Sequence, residues 1–246
     1  MAQGLPTKLT KEPLVEAIFE IRFLSSVNVS DILPGFLHSK VKGAKVERLP
    51  LGQLPREFRQ NDAQLAQQPV LQIQLPGFLL LVGDKSLAIS CLLPYLGWMA
   101  FKAEIQKMLS YLKEAEIVEK VERYALKYID VIEGNSVAET IGRVNLAVSL
   151  GNNKLRDSAF QLKFEVARDE FIHVLQLGAP GIVTLVGGQT RQGLVLTVDS
   201  ISVKNELPLD PTENELFLDR IHQANKEIFF ECLTDDAVKF LEPVYE

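Results

Sequence analysis

The chain has 246 residues, 47% of them hydrophobic and 24% charged, a mixture that supplies a sizeable core and excludes disorder over most of its length. Its net charge of −6 and pI near 5.3 argue against nucleic-acid binding, which depends on Lys and Arg neutralising phosphates. No apolar run reaches the roughly 18 residues that a membrane-spanning helix needs.

The opening stretch "MAQGLPTKLTKEP" has no apolar core and is not read as a secretory signal. The two cysteines, Cys91 and Cys232, stand far apart in apolar and helical contexts and read as reduced core thiols. Together these predict a cytoplasmic protein.

The first element is "PLVEAIFEIRF" (13–23), where Ala17, Phe19, Ile21 and Phe23 alternate with Glu16, Ile18, Glu20 and Arg22. Period two over this length is a strand with one buried face. A short helix follows in "SSVNVSDILPGFLHSKV", with Ser30 as its expected N-cap. Strands are then expected near 44–49, 70–75, 77–82 and 86–92, the last three parted by Pro76-Gly77 and Gly83-Asp84. A long helix over 95–115 carries Trp98, Phe101, Ile105, Met108, Leu109 and Leu112 at helical spacing.

The same order then returns. A long strand over 119–132 leads to Gly134-Asn135 and to a capping box formed by Ser136 and Glu139. Strands are expected near 144–150, 160–167, 170–177 and 192–203. A second long helix is expected over 211–233, with Asp210 as N-cap, Pro211 at its first position and Glu213 closing the box. Leu218, Ile221, Asn225, Ile228 or Phe229, and Cys232 mark its apolar stripe, and Thr234 caps a last short helix ending at Leu241.

Each half reads strand, short helix, four antiparallel strands, long helix. The expectation is an α+β fold built from this duplicated unit, forming an extended antiparallel sheet with two long helices on one face. The halves are 1–116 and 117–246, with the boundary near "EAEIV" (114–118), and a shared sheet is expected to integrate them into one domain. The motifs "KEPLVEAIFEIRF", "YLGWMAFKAEI", "ERYALKYIDVI" and "LDRIHQANKEIFFECLTDDAVKFL", taken in order, resemble a sporadically distributed bacterial protein family of about this length. The resemblance implies a shared fold and no reaction. The family's middle strand carries an Arg-Tyr pair followed by Asn, where this chain has Lys127-Tyr128 and then Asp130. The strand and helix order also looks like the duplicated unit of TATA-box-binding-type folds, a likeness that carries no function by itself.

The search for chemistry finds little. His38, His173 and His222 have no second His or Cys at metal-ligand spacing. Cys91 ends an apolar strand with no neighbouring charge to hold a thiolate. The glycine-rich "LVGGQTRQG" (185–193) lacks a Gly-Lys-Ser/Thr ending and precedes a strand, so it reads as a long hairpin turn within a protruding loop over 178–193. Residues 50–69 break the rhythm and read as a mobile insertion with Phe58 as its one large exposed apolar residue. The polar strand faces offer Glu16, Glu20 and Arg22 on the first strand and Arg123 and Lys127 on the second. These five are the candidate binding residues, either as cross-strand ion pairs or as a polar binding surface.

No catalytic residue, metal or cofactor is expected. The reading is a non-catalytic protein-interaction module with a protein partner, a homodimer being one form. The alternative is a ligand- or nucleic-acid-binding module that uses the exposed sheet face. A membrane partner is not expected.

Overall fold

The computed structural model describes residues 4–41, 44–62, 65–185, 188–203 and 207–245. In chain order the elements begin with β1 (Lys8–Leu9), β2 (Leu14–Leu24), α1 (Val29–Lys40), β3 (Lys45–Arg48) and α2 (Arg56–Gln60). β4 (Pro69–Leu75), β5 (Phe78–Gly83), β6 (Ser86–Cys91), α3 (Trp98–Glu114), β7 (Lys120–Glu133) and α4 (Val137–Ile141) follow. The two-residue strands β8 (Ser149–Leu150) and β9 (Asn153–Lys154) precede the longer β10 (Phe160–Arg168), β11 (Phe171–Thr184) and β12 (Thr190–Ser202). The chain closes with α5 (Glu215–Cys232), α6 (Asp235–Phe240) and β13 (Pro243–Val244).

This is an α+β protein with a large antiparallel sheet and helices packed on it. Among the described residues nine strands are ordered β10-β11-β12-β7-β2-β6-β5-β4-β3, and the two-residue strands form two separate small ladders. No helix among the described residues is long and apolar enough to cross a membrane. Compactness divides the chain into two units, one of residues 1–16, 127–200 and 222–246, the other of residues 17–126 and 201–221. Each unit takes segments from both sides of the sequence boundary near 114–118.

In the second unit the alternation of β2 places Phe19, Ile21 and Phe23 wholly in the core. The register Ala17↔Cys91, Phe19↔Ile89 and Ile21↔Leu87 sets β6 against it with its apolar side chains on the same face. Phe78 of β5 continues that face through its pairing with Cys91. On it Phe101 of α3 stacks against Phe78, with ring centroids 6.2 Å apart, and Tyr124 of β7 meets both Phe19 and Phe217. Fully burying each such side chain contributes about 1.5–3 kcal/mol. In the first unit a second core gathers Ile132, Leu175, Leu177, Leu194, Leu196 and Val198 from the strands with Ile228, Phe229 and Leu233 from α5.

Several expectations are corrected. Residues 144–150 do not form a sheet strand: Val144 makes an isolated bridge to Leu233, and Ser149–Leu150 pairs only with Asn153–Lys154. The stretch 178–193 is not a protruding loop. β11 runs on to Thr184, β12 starts at Thr190, and the turn is confined to 185–189, closed by Leu185 N–H donating to Gln189 O at 2.7 Å and partly outside the described residues at Val186 and Gly187. The glycines there serve close approach. A Cβ on Gly193 would sit 2.1 Å from the Ile132 carbonyl oxygen, and one on Gly181 would sit 2.4 Å from Cγ2 of Val195.

Ser30 is not the N-cap of α1. Asn28 takes that place without a side-chain cap bond, and Ser30 lies buried inside the helix donating to Asp84. Asp210 caps a turn instead of the long helix. Its carboxylate accepts from Thr212 N–H at 2.9 Å, and regular helix starts at Glu215.

Residues 50–69 are anchored, apart from Ala63 and Gln64, which lie outside the described residues. They hold α2 and two 3-10 turns, and Arg59 of α2 is buried against Asp84. Phe58 is exposed as expected, and Leu54 shares its exposure.

Candidate functional site

Glu20 and Arg22 are two residues apart on β2 and therefore share the face opposite the core. Their cross-strand partners on β6 are Ala88 and Ser86, side chains small enough to leave room for both. Arg22 Nε donates to Glu20 Oε1 at 2.6 Å, and Arg123 Nη2 of β7 donates to the same oxygen at 2.8 Å. Arg22 Nη1 also donates to the Gln67 side-chain oxygen. Burial pulls the Glu20 carboxyl upward, but the bonds and charges of the two guanidinium groups outweigh it and hold the group below its ordinary value.

In the first unit Lys127 Nζ lies 3.0 Å from Asp199 Oδ2 of β12. Glu16 is half-buried in that unit. Of the five candidates, then, Glu20, Arg22 and Arg123 come together. Lys127 meets Asp199, a residue that the sequence pattern did not single out. Asp199 sits in the alternation of β12 opposite the buried Val198 and Ser200, and that alternation was the available signal.

In each unit, then, these cationic groups are paired with carboxylates of the same chain. Such part-buried pairs fix strands to one another and leave little net field for an anionic ligand. A shallow open cleft of about 540 Å³ is lined by Val118, Glu119, Lys120, Val121, Leu207 and Glu213 among others. Among the described residues its lining offers carboxylates and an ammonium but no hydroxyl, thiol or imidazole nucleophile.

Two of the three histidines make contacts inside the fold. His173 is fully buried, and its Nδ1 lies 2.8 Å from Ser200 Oγ, which also accepts from Asn225 Nδ2 at 2.9 Å. Burial lowers the His173 pKa. His222 Nδ1 lies 3.2 Å from the Tyr128 hydroxyl, and His38 is exposed near the end of α1. Cys91 is buried, and burial, helped by Glu231, pushes the Cys232 thiol up to about 11, so it stays protonated. Among the described residues no group of three or more His, Cys, Asp or Glu side chains is placed to hold a metal ion.

Three polar clusters escaped sequence reasoning. Lys102, on the apolar side of α3, donates to both oxygens of Asp219 at 3.0 Å, and Trp98 Nε1 donates to Oδ1 of the same carboxylate at 2.8 Å. The signal was a lysine next to Phe101 within an apolar stripe. Arg59 and Asp84 form a buried pair, Nε to Oδ2 at 3.1 Å. Asp130 of β7 is buried in the first unit, where burial and then the charge of Glu12 push its carboxyl up to about 8 against the opposing pull of Arg191. Arg191 itself donates to the carbonyls of Glu12 and Leu14.

No protein-family model and no curated protein matches the chain. Among solved structures the chain is similar to the TBP of Methanococcus jannaschii, at 12% sequence identity and a TM-score of 0.26, with 88% of this chain and 99% of that one covered.

Proposed function

We propose that this chain is a non-catalytic protein-interaction module of a bacterial cytoplasmic assembly, built from a duplicated strand–helix–strands–helix unit with its two long helices on one sheet face. The observation that carries the reading is a group of solvent-facing apolar side chains on a rigid support in the second unit. Leu96, Met99 and Leu216 are 59%, 70% and 73% exposed. Met99 lies one turn before Lys102 on α3, and Leu216 directly follows Glu215, the second carboxylate near the Lys102 ammonium at 3.6 Å. The bonds from Lys102 and Trp98 to Asp219 tie α3, which carries Met99, to α5, which carries Leu216. Exposed apolar groups on a fixed frame are what a protein partner desolvates.

The protonated thiol of Cys232, the buried Cys91, the enclosed imidazole of His173 and the cleft lining support binding over catalysis. The pairing of Arg22, Arg123 and Lys127 with carboxylates weighs against the sheet face as a nucleic-acid or anionic-ligand site. The test combines light scattering with affinity capture, using wild type and a Met99→Glu/Leu216→Glu double variant. The expected result is a specific assembly, with itself or with another protein, that the double variant loses at least tenfold in affinity. A strict monomer that captures nothing overturns the proposal.

A further inference from the structure

We infer that the free edge of β10 is a self-recognition edge, at which two copies of this chain pair antiparallel about a twofold axis through Phe164. The edge belongs to the first unit, and Met99 and Leu216 to the second, so the inference goes beyond the interaction reading above. β10 ends the nine-stranded sheet, with β11 as its sole neighbour in the strand order, in the register Phe160↔Ala179 to Arg168↔Phe171. The opposite edge, β3, spans only Lys45–Arg48, with three charged residues in four. A short, charged edge is protected against pairing with another chain. The nine-residue edge of β10 contains no Pro and no Gly, and its three central residues, Lys163, Phe164 and Glu165, are all exposed.

Phe164 is the middle residue of the strand, so a twofold there pairs every residue of β10 with one of its copy. Phe160 then faces Arg168 of the second copy, Leu162 faces Val166, Lys163 faces Glu165, and Phe164 faces itself. Directly opposite residues in an antiparallel pair share one sheet face. On one face the pairing sets Leu162, Phe164 and Val166 against Val166, Phe164 and Leu162. On the other it sets Lys163 against Glu165 twice over. The centre of the strand, from Leu162 to Val166, is its own complement in both polarity and charge.

The burial pattern gives the apolar face a reason to be covered. Phe160 and Val166 pack against the core of the first unit, so the even-numbered residues line the core side of β10. Phe164, on that side, is still 44% exposed because the sheet ends there. A second β10 would continue the core past Phe164. Lys163 and Glu165 have no ion-pair partner among the described residues, so each is available to the other copy. Lysine on an edge strand also serves to repel strand addition. Here the same lysine meets a glutamate when the incoming strand is an antiparallel copy in this register, and in the registers two residues to either side Lys163 or Glu165 meets itself.

Sedimentation of the full chain at up to about 100 µM, with Lys163→Glu, Glu165→Lys and the double exchange Lys163→Glu/Glu165→Lys, tests this. Both positions are exposed, so folding is checked simply by an unchanged far-UV spectrum. The wild type is expected to dimerise. Each single variant, which sets two like-charge pairs against each other, is expected to weaken the dimer at least tenfold, and the double exchange to restore it. A wild type that stays monomeric overturns the inference, and Lys163 is then a guard on the edge. If that monomer still captures a partner through Met99 and Leu216, the interaction reading stands without it. A dimer unaffected by either single variant overturns the edge and leaves the interaction reading intact.

Discussion

The ammonium of Lys102 lies 3.0 Å from each carboxylate oxygen of Asp219 while only 7% of the lysine side chain reaches solvent. Asp219→Ala leaves that charge buried with Glu215 as its remaining neighbour. Losing one partner of a buried pair costs about 3–5 kcal/mol, but Asp219 is half exposed and Glu215 compensates in part, so about 1–3 kcal/mol is expected. Adding Lys102→Met to that variant should recover most of it. Urea unfolding followed by the single tryptophan, whose indole shares the carboxylate, measures both, and an unchanged midpoint for Asp219→Ala contradicts the assignment.

Asp130 sets a pH dependence. Its folded pKa of about 8 lies above the value near 3.8 that it has when unfolded. The folded state therefore holds a proton that the unfolded state releases, and stability present below pH 4 is lost progressively as pH rises to about 8. Asp130→Asn keeps the neutral form at every pH. It should flatten the fall in melting temperature between pH 5 and 8. At pH 7.5 it should be the more stable protein, by on the order of 1–4 kcal/mol. Calorimetry across that range decides, and parallel curves for the two proteins contradict the reading.

Arg59 and Asp84 hold residues 54–59 to the β5–β6 turn. The guanidinium also donates to Leu54 O at 2.8 Å, and Asp84 O accepts from Val29 N–H at 3.1 Å. Both side chains are buried. Arg59→Ala strands the Asp84 carboxylate with Ser30 as its remaining side-chain partner, at a cost of about 3 kcal/mol or more. It should also make residues 50–62 the first site of limited proteolysis. Equal cleavage rates in wild type and variant count against the tether.

The ion pairs on the sheet face predict that nucleic acid is not held there. Filter binding with single- and double-stranded probes at low salt should give no salt-dependent retention, and an Arg123→Glu/Lys127→Glu variant should match the wild type. Steep loss of retained probe with added salt, abolished in the variant, reinstates the sheet face as a site.

Elements with a simple period were legible in the sequence. The 13–23 alternation became Leu14–Leu24, and the apolar stripe from Phe101 to Leu112 became the buried side of α3. Ser136 and Thr234 cap their helices as read, accepting from Glu139 N–H and Ala237 N–H. Misreadings came where one residue type serves two physical ends. Gly181 and Gly193 looked like turn residues but allow backbones to close in, and Ser30 looked like a cap but is a buried donor to Asp84. The site was less legible than the fold. Glu20, Arg22 and Arg123 share a face by alternation, which sequence supplies, but the pairing of Lys127 with Asp199 depends on strand order, which it does not.

The interleaving of the two units bears on the birth of the chain at the ribosome. Tyr124 closes the second unit by donating its hydroxyl to Pro208 O at 2.7 Å and accepting from Asn214 at 3.0 Å. Those partners belong to the 201–221 segment, and residues 127–200 are made in between. At about 5–20 residues per second the nascent second unit waits roughly 4–15 s for its missing piece, with the face of Tyr124 that Phe217 later covers open to whatever reaches it first.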